Sequence, residues 1–286
     1  MNKRLPSWFK QPPADTKSVS DVKKLLDGLD LHTICKSALC PNIGDCLSEK
    51  TATFLILGNT CTRHCAFCAV KKGIPSQVDD NEPYHLLEAV RKLGLLYIVI
   101  TSVTRDDLPD GGASQFAAAI SLLRKNIANA VIEVLVPDFL GSGESLRTVI
   151  KAGPQVINHN VETVPRLYPE VRPEADYTRS LGLIAGAKEL NPGIVTKSGL
   201  MLGLGETHKE VIAVMNDLRE AGCDLLTIGQ YLQPSPSHHP IARYLPPEEF
   251  SEYAPIGREM GFIEVASAPL VRSSYKAAEM YKSVQR

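Results

Sequence analysis

The sequence lacks the features that tie a protein to a membrane or to a nucleic acid. None of its apolar runs reaches the roughly 18 residues that a membrane-spanning helix needs. A surplus of one charge is also missing, because 31 basic residues stand against 32 acidic ones, whereas nucleic-acid binding favours a basic surplus. The first 24 residues are basic without an apolar core, so we expect no secretory signal. These absences predict a cytoplasmic protein with neither a membrane nor a nucleic acid as partner.

The sequence also lacks the even cysteine count of a disulfide scaffold. It has seven cysteines, and six of them fall within residues 35–68. Disulfide scaffolds are usually small secreted chains with an even number of cysteines, so this crowding indicates metal or cluster binding instead. The seventh, Cys223, stands alone in "EAGCDLL", where we expect a small buried apolar side chain.

The middle of the chain alternates short apolar runs with amphipathic stretches that are typical of helices. The runs are rich in Val, Ile, Leu and Thr, as buried strands are; they cover residues 51–57, 96–102, 131–137, 155–161, 195–202 and 225–232. Strands that alternate with helices indicate a parallel sheet, and six units are fewer than the eight of a closed barrel. The sequence therefore predicts an α/β fold. Its centre is a partial, open (β/α)6 barrel over residues 51–235, with extensions 1–50 and 236–286 packed onto it.

Polar or glycine-rich segments follow most of these predicted strands. Residues 61–68 come directly after the first strand, and the others are "TSVTRDD", "NHNVET", "GLGET" and "GQYLQPS". The carboxyl ends of parallel strands share one edge of the sheet, where such folds bind ligands. We expect the chemistry at this edge. The pair His238–His239 lies in a Pro- and Ser-rich stretch, and we interpret it as a surface feature.

Six of the cysteines form two triads. Cys61, Cys65 and Cys68 have the spacing C-x3-C-x2-C, and Cys35, Cys40 and Cys46 have the spacing C-x4-C-x5-C. Thiolates suit iron–sulfur clusters, zinc and copper(I). A four-iron cluster normally takes four protein ligands, so three thiolates leave one iron free to bind a small molecule. Two triads fit two such clusters, although one four-ligand zinc site with two spare cysteines stays open.

The first triad resembles the signature of the radical S-adenosylmethionine (SAM) enzymes, including the aromatic Phe67 before its last cysteine. Further stretches resemble the lipoyl synthases, from about Leu5 to Tyr275 or beyond. They are "LHTICKSALCPNIGDC", "ATFLILGNTCTRHCAFCAV", "VITSVTRDDLPDGGA", "NHNVETVPRLYPEVRP", "SGLMLGLGE", "LTIGQYLQPS" and "PLVRSSY".

This resemblance implies two cofactors and the residues that hold them. Cys61, Cys65 and Cys68 would bind a [4Fe–4S] cluster whose open iron chelates SAM. The second triad would bind an auxiliary [4Fe–4S] cluster and donate sulfur, with Ser274 of "RSSY" as the fourth ligand. The spacing alone favours Ser274 as the N-cap of a following helix.

Five further residues are candidates for binding SAM itself. Thr101 and Ser102 end the second strand and would contact the methionyl carboxylate. Asn158 and Glu162 close the fourth strand and would hold the ribose hydroxyls or the amino group. Arg179 would pair with the carboxylate. Each of the five could equally order a loop.

The implied reaction is the insertion of sulfur at C6 and C8 of an octanoyl chain that is amide-linked to a lysine of a lipoyl carrier domain. The carriers would be 2-oxoacid dehydrogenase subunits or the glycine cleavage H protein, and a ferredoxin or flavodoxin would supply electrons.

A biotin-synthase-like enzyme is the nearest alternative, but it would not need the second triad. A tRNA methylthiotransferase would add a basic module. An electron carrier or a zinc-stabilised binding module would not need the barrel.

Overall fold

The computed structural model describes residues 5–10, 15–48 and 52–285 of the chain. Its strands are β1 His32–Thr33, β2 Thr53–Ile56, β3 Thr60–Cys61, β4 Lys71–Lys72, β5 Tyr97–Ser102, β6 Val131–Leu135, β7 Val156–Asn158, β8 Val195–Leu202, β9 Leu225–Gln230 and β10 Glu264–Ser267. Its α-helices are α1 Thr16–Gly28, α2 Ile34–Ser37, α3 Ile43–Ser48, α4 Glu82–Leu93, α5 Ala113–Asn126, α6 Gly143–Lys151, α7 Tyr168–Val171, α8 Tyr177–Leu190, α9 His208–Glu220, α10 Pro247–Glu259 and α11 Ala277–Lys282.

Eight of the strands form one sheet in the order β1-β2-β5-β6-β7-β8-β9-β10. Every neighbouring pair from β2 to β10 is parallel, and only β1 runs antiparallel, along the β2 edge. The six predicted strands are all present as β2 and β5 to β9; β8 has the predicted bounds and the other five are shorter. Thr51, in the first of the six runs, lies outside the described residues. The α/β fold class is confirmed.

Both edges of the sheet carry a strand that the sequence pattern did not predict. β1 has only two residues, which is too short for an alternation to be recognised. β10 pairs in parallel with β9 over Glu264–Ser267, so the C-terminal part of the chain contributes to the sheet itself. The division at 1–50, 51–235 and 236–286 stays a prediction.

The connecting helices bury one apolar face each, and their ends follow ordinary capping rules. α4 buries Leu86 and Val90 completely and ends at Gly94, whose φ of 68° is the left-handed conformation that glycine accepts. α9 begins with a capping box in which Thr207 and Glu210 satisfy each other's backbone amides. Each fully buried Leu or Val contributes about 1.5–3 kcal/mol, so the helix faces fix the layer around the sheet.

The amino-terminal half of the barrel interior is filled by a buried polar network. Lys197 Nζ lies 2.8 Å from Glu133 Oε1, and Tyr97 donates its hydroxyl hydrogen to Glu133 Oε2 at 2.5 Å. Tyr281 of α11 packs on the Tyr97 ring with 5.8 Å between centroids. This end is therefore closed, and the open end lies at the carboxyl termini of the strands. No helix in the described part of the chain has both the length and the apolarity needed to cross a bilayer.

Candidate active site

A cavity of about 340 Å³ opens at the carboxyl edge of the sheet. Cysteines from both triads line it, namely Cys35, Cys40, Cys61, Cys65 and Cys68; Cys46 is not a lining residue. Ser274, near the other end of the chain, lines the same cavity. The fold thus brings the two neighbouring cysteine segments together with a residue from near the other end of the chain.

The loop that carries the first triad, residues 61–68, is tied to the strand ends by backbone hydrogen bonds. Thr62 donates its amide to the Thr104 carbonyl at 3.1 Å, and Ala66 donates to Val171 at 2.8 Å. The Thr104 amide donates in turn to the Sγ atom of Cys61 at 3.4 Å. This last contact is of the kind that stabilises a thiolate, because the amide hydrogen meets the negative charge.

Arg63, between the first two cysteines of this loop, anchors it through buried charge pairs. Its guanidinium donates to Asp106 at 2.6 and 3.0 Å and to Asp138 at 2.6 Å. Burial acts to raise the pKa of Asp138, but the hydrogen bonds and charge of Arg63 outweigh it and hold that pKa at about 2. Because Asp138 and Asp106 follow the neighbouring strands β6 and β5, the charge pairs fasten the cysteine loop to the sheet.

The sequence analysis interpreted the histidine pair as a surface feature, but in the structure the pair is bonded to the cysteine loop. The His239 amide donates to the Ala66 carbonyl at 2.9 Å, and His238 Nε2 lies 3.1 Å from the carbonyl oxygen of Cys68, which can only accept. The surface interpretation is therefore confirmed only in part: both residues are partly exposed and neither lines the cavity, but they are bonded to the cysteine loop. Carbonyl groups of the cysteine loop have few strand partners, and the loop after β9 folds back to supply donors.

The second triad lies on α2, α3 and the turn between them, and this N-terminal segment is joined to the C-terminal segment. The side-chain amide of Asn42 donates to the Leu270 carbonyl at 2.7 Å. The Tyr275 hydroxyl donates to Asp45 Oδ2 at 3.0 Å. The two partners in each bond are more than 220 residues apart. The second triad is thus held by contacts that span nearly the whole chain.

Ser274 belongs to this junction and does not cap a helix. Helix α11 begins at Ala277, and its N-cap position is Lys276, with φ 51° and no side-chain capping bond. The Ser274 Oγ atom instead accepts a hydrogen bond from Thr53 Oγ1 at 2.7 Å. The N-cap interpretation is therefore wrong, because the helix starts later than the spacing suggested.

The structure brings three of the five SAM-binding candidates to the cavity: Thr101, Ser102 and Glu162. Asn158 and Arg179 are not lining residues; Asn158 donates to Glu133 at 3.3 Å, and Arg179 pairs with Asp138 at 3.2 Å. Glu162 adopts a left-handed backbone with φ 63°, which is uncommon for a non-glycine residue and collects at functional sites.

A model of the radical SAM superfamily matches residues 55–229. The lipoyl synthase of Rubrobacter xylanophilus is 54% identical over 281 residues, which are 98% of this chain and 88% of that protein. The lipoyl synthase of Caldanaerobacter subterraneus is 56% identical over 277 residues, or 97% of each chain. The chain belongs to the lipoyl synthases. They are radical SAM enzymes that use a [4Fe–4S] cluster and SAM and act on a lipoyl domain, so the resemblance of the sequence motifs is confirmed.

Solved structures resemble the barrel more distantly. SuiB of Streptococcus suis bound to S-adenosylmethionine superimposes with a TM-score of 0.58 at 14% identity, over 88% of this chain and 61% of that one. HydG, a maturase of the [FeFe]-hydrogenase, gives a TM-score of 0.56 at 15% identity, over 86% and 61%. At this identity the likeness concerns the fold alone, and it agrees with an open parallel barrel.

The thiols of this lipoyl synthase family member fit a cationic ligand. Burial raises the pKa of Cys65 to about 12, although the positive charge of Arg172 opposes the rise. Burial likewise raises the pKa of Cys68 to about 11. Three adjacent thiolates would be costly here without a bound cation, and binding iron would release their protons. No group of three or more His, Cys, Asp or Glu within the described ranges has the spacing of a single-ion site.

Two cavity-lining arginines were missed by the sequence analysis. Arg172 is 7% exposed and donates to the Asn160 carbonyl at 2.8 Å, while its Nε atom finds no hydrogen-bond partner among the described residues. Arg272 lines the same cavity. Burial raises the pKa of Glu162, and both guanidinium groups oppose that rise. Both arginines lie inside stretches quoted above, in "YPEVRP" and "VRSSY". The motifs were used to recognise the family, but the positive charge of these two residues was not interpreted as part of a binding site.

Close packing of the C-terminal segment against the barrel requires glycine at one strand position. A Cβ atom on Gly229 of β9 would collide with the carbonyl oxygen of Val271. Glycine therefore allows residues 271–274 to approach the strand ends and to complete the cavity wall.

Proposed function

We propose that this protein inserts two sulfur atoms, at C6 and C8, into an octanoyl chain held on a lysine of a lipoyl carrier domain, and that it uses two [4Fe–4S] clusters. The observation that carries the proposal is the shared cavity, which Cys35 and Cys40 line together with Cys61, Cys65 and Cys68. A radical source and a sulfur source must reach the same short alkyl chain. Two triads on one cavity meet that requirement, whereas triads on separate faces would not.

On one side of the cavity, Cys61, Cys65 and Cys68 would hold the cluster that binds SAM. When bound, this cluster supplies the electron that cleaves the SAM sulfonium and yields a 5′-deoxyadenosyl radical. Two residues have unused polar capacity facing this space: the buried Ser102 Oγ has no partner among the described residues, and Glu162 receives one bond, at 3.0 Å, from Asn160. They suit the polar groups of the methionyl moiety and the ribose. Thr101 donates to the Leu135 carbonyl and keeps its lone pairs for a ligand.

The geometry supports a less direct role for the two remaining SAM-binding candidates. Arg179 shares the Asp138 carboxylate with Arg63, so it supports the loop of the first triad. Asn158 contacts Glu133 and thereby links the strand end to the buried network below. We infer that both residues act on SAM only through neighbours.

On the other side, Cys35, Cys40 and Cys46 would hold the auxiliary cluster with Ser274 as the fourth ligand. The two serines of "RSSY" turn to different neighbours: Ser273 accepts from Asn160 at 2.6 Å, next to Glu162, and Ser274 accepts from Thr53. Thr53 in turn neighbours Cys35, which favours Ser274 over Ser273 as the fourth ligand. An alkoxide is harder than a thiolate and a poorer match to cluster iron, so the Ser274 bond would break most easily when sulfur is given up.

The space between the triads suits an alkyl chain. Its apolar lining includes Val103, Leu135, Val136, Leu200 and Met201, and its volume of about 340 Å³ is in the range of small-molecule sites. A substrate carbon held here would be shielded from water and from other hydrogen donors. The carrier would be a 2-oxoacid dehydrogenase subunit or the glycine cleavage H protein, and a ferredoxin or flavodoxin would deliver the electrons.

The decisive experiment is mass spectrometry of an octanoyl-lysine peptide after anaerobic incubation with SAM and a reductant. We expect a product that has gained two sulfur atoms, and about eight irons per chain in the reconstituted protein. Cys223→Ala is the matched control, because Cys223 is fully buried, does not line the cavity, and its thiol donates to the Leu225 carbonyl. An unchanged octanoyl peptide, or a zinc-containing protein without sulfide, would contradict the proposal. Thiolation of a free small molecule instead of the peptide would favour the biotin-synthase-like alternative.

A further inference from the structure

Thr53 lies between two residues to which the proposed function assigns ligand roles. It is the first residue of β2, is 5% exposed and lines the shared cavity. Its Oγ1 atom donates to the Ser274 Oγ atom at 2.7 Å. It also faces Cys35, whose thiol pKa is raised by burial and lowered in part by the Thr53 backbone.

A threonine hydroxyl has a single hydrogen to donate. It can therefore serve Ser274 or the Cys35 sulfur, but not both at once. An alkoxide oxygen is the stronger acceptor, and a hydrogen bond to a charged oxygen is worth more than one to a neutral oxygen. The bond from Thr53 therefore favours the ionised, metal-bound form of Ser274 over the neutral, detached form.

We propose that Thr53 is a positioning residue that orients Ser274 towards the second triad and stabilises it as an oxygen ligand. The inference rests on the proposed function, because it assumes that Ser274 binds the auxiliary cluster. Thr53 itself donates no ligand atom. It fixes the direction of the Ser274 Oγ lone pairs and holds Ser274 close to Cys35, although the two are separated by more than 230 residues in the sequence.

The test measures how fast the auxiliary cluster loses its first iron. Cys61, Cys65 and Cys68 are replaced by Ala in the full-length chain, so that only the auxiliary cluster is present, and iron release to a ferrous chelator is followed with the electron paramagnetic resonance spectrum. Thr53→Val keeps the shape of the side chain and removes the hydroxyl. We expect iron release to become about tenfold faster, as for the loss of a hydrogen bond to a charged group, and Thr53→Ser to restore the original rate.

Two controls separate this role from general damage to the fold. Thr196→Val removes another buried threonine hydroxyl, bonded to the Gly222 carbonyl at 2.6 Å and outside the cavity lining, and should leave iron release unchanged. In the Ser274→Cys background the fourth ligand is a thiolate that depends less on the hydrogen bond, so Thr53→Val should have less than a twofold effect there. Equal acceleration in both backgrounds would show that Thr53 acts through the fold and would overturn the proposal.

Ser274→Ala distinguishes failure of this inference from failure of the proposed function. If Ser274→Ala speeds iron release and Thr53→Val does not, Thr53 has no positioning role and the ligand assignment stands. If Ser274→Ala leaves both the rate and the spectrum unchanged, Ser274 is not a ligand. If Thr53→Val does not fold, as judged by the absence of cooperative melting, Thr53→Ala and Thr53→Ser provide the same comparison. We expect fast iron release from the Ala variant and slow iron release from the Ser variant.

Discussion

The two cysteine-bearing regions are held in place in different ways. The loop of the first triad is bound by groups at the ends of neighbouring strands, such as Thr104, Asp106 and Asp138. The segment of the second triad, residues 35–46, is bound to the C-terminal segment through Asn42 and Tyr275. The first region can therefore form as soon as the barrel folds, whereas the second needs both chain ends to meet and must offset the entropy of closing a very long loop.

The regions also differ in their charge. Arg63 is a buried cation of the first loop, and the carboxylates of Asp106 and Asp138 neutralise its charge. In the second region the burial of Cys40 raises its thiol pKa, and the nearby Arg272 opposes the rise from across the chain junction. The first region is thus a rigid, charge-balanced loop. In the second region the opposing cation comes from the segment that also carries Ser274.

The largest effect is expected from Cys65→Ala, which breaks the first region alone. The variant should cleave SAM only at background level, because two thiolates remain for the cluster. The auxiliary cluster should still assemble, since its anchors do not involve Cys65. The measurement is 5′-deoxyadenosine formation together with iron content, with Cys223→Ala as the control. Normal 5′-deoxyadenosine formation would refute the ligand role of Cys65, and loss of the auxiliary cluster would refute the separation of the two regions.

The converse change, Cys40→Ala, should break the second region alone. We expect SAM cleavage to continue near the rate of the parent protein while transfer of sulfur to the octanoyl peptide stops, because the sulfur source is lost and the radical source is not. Mass spectrometry of the peptide measures sulfur transfer, and chromatography of 5′-deoxyadenosine measures SAM cleavage. Lipoyl product at the yield of the parent would show that Cys40 is dispensable.

A smaller effect is expected on the stability of the first region, which should depend on pH. The folded pKa of Asp138, about 2, lies below its ordinary value of 3.8, so the carboxylate contributes stability that is present above about pH 4 and is lost as the pH falls through about 2. Such a shift corresponds to about 2 kcal/mol. The free energy of unfolding in urea, measured for the full chain across this pH range, should fall as the pH is lowered, and Asp138→Asn should remove the part of that fall that Asp138 causes.

Asp107→Asn is the control for that experiment. Asp107 also pairs with an arginine, at 2.8 Å, but its side chain is 39% exposed, and solvent screens such pairs. We expect its effect on the acid range of unfolding to be clearly smaller than that of Asp138→Asn. Equal effects of the two substitutions would show that burial of the Asp138 pair does not strengthen the first loop.

The smallest effect is expected from Tyr275→Phe, which removes one bond between the chain ends. Losing the hydrogen bond to Asp45 should cost about 1 kcal/mol and should lower the hydrogen-exchange protection of residues 40–46 while leaving residues 61–68 unchanged. Tyr84→Phe, at a tyrosine that is 62% exposed, is the matched control. A uniform loss of protection in both cysteine regions would mean that the chain junction also supports the barrel.

Several features could be predicted from the sequence because they depend on local patterns. Apolar runs rich in Val, Ile, Leu and Thr identified the six central strands, and the amphipathic stretches between them indicated helices. The buried, apolar character of Cys223 was recognised in the same way. The two cysteine spacings and the motifs around them were sufficient to recognise the family.

Other features were decided only by the tertiary structure. The docking of His238 and His239 on the cysteine loop, the cavity positions of Arg172 and Arg272, and the place of Ser274 beside Thr53 all depend on which donors and acceptors remain unmatched after the strands have formed. Such pairs form between segments up to 230 residues apart, and no periodicity in either segment encodes the other. Local chemistry in this sequence therefore determines the strands, the helices and the ligand types. Burial, which favours a partner for most of the remaining polar groups, determines how the two ends of the chain complete one site.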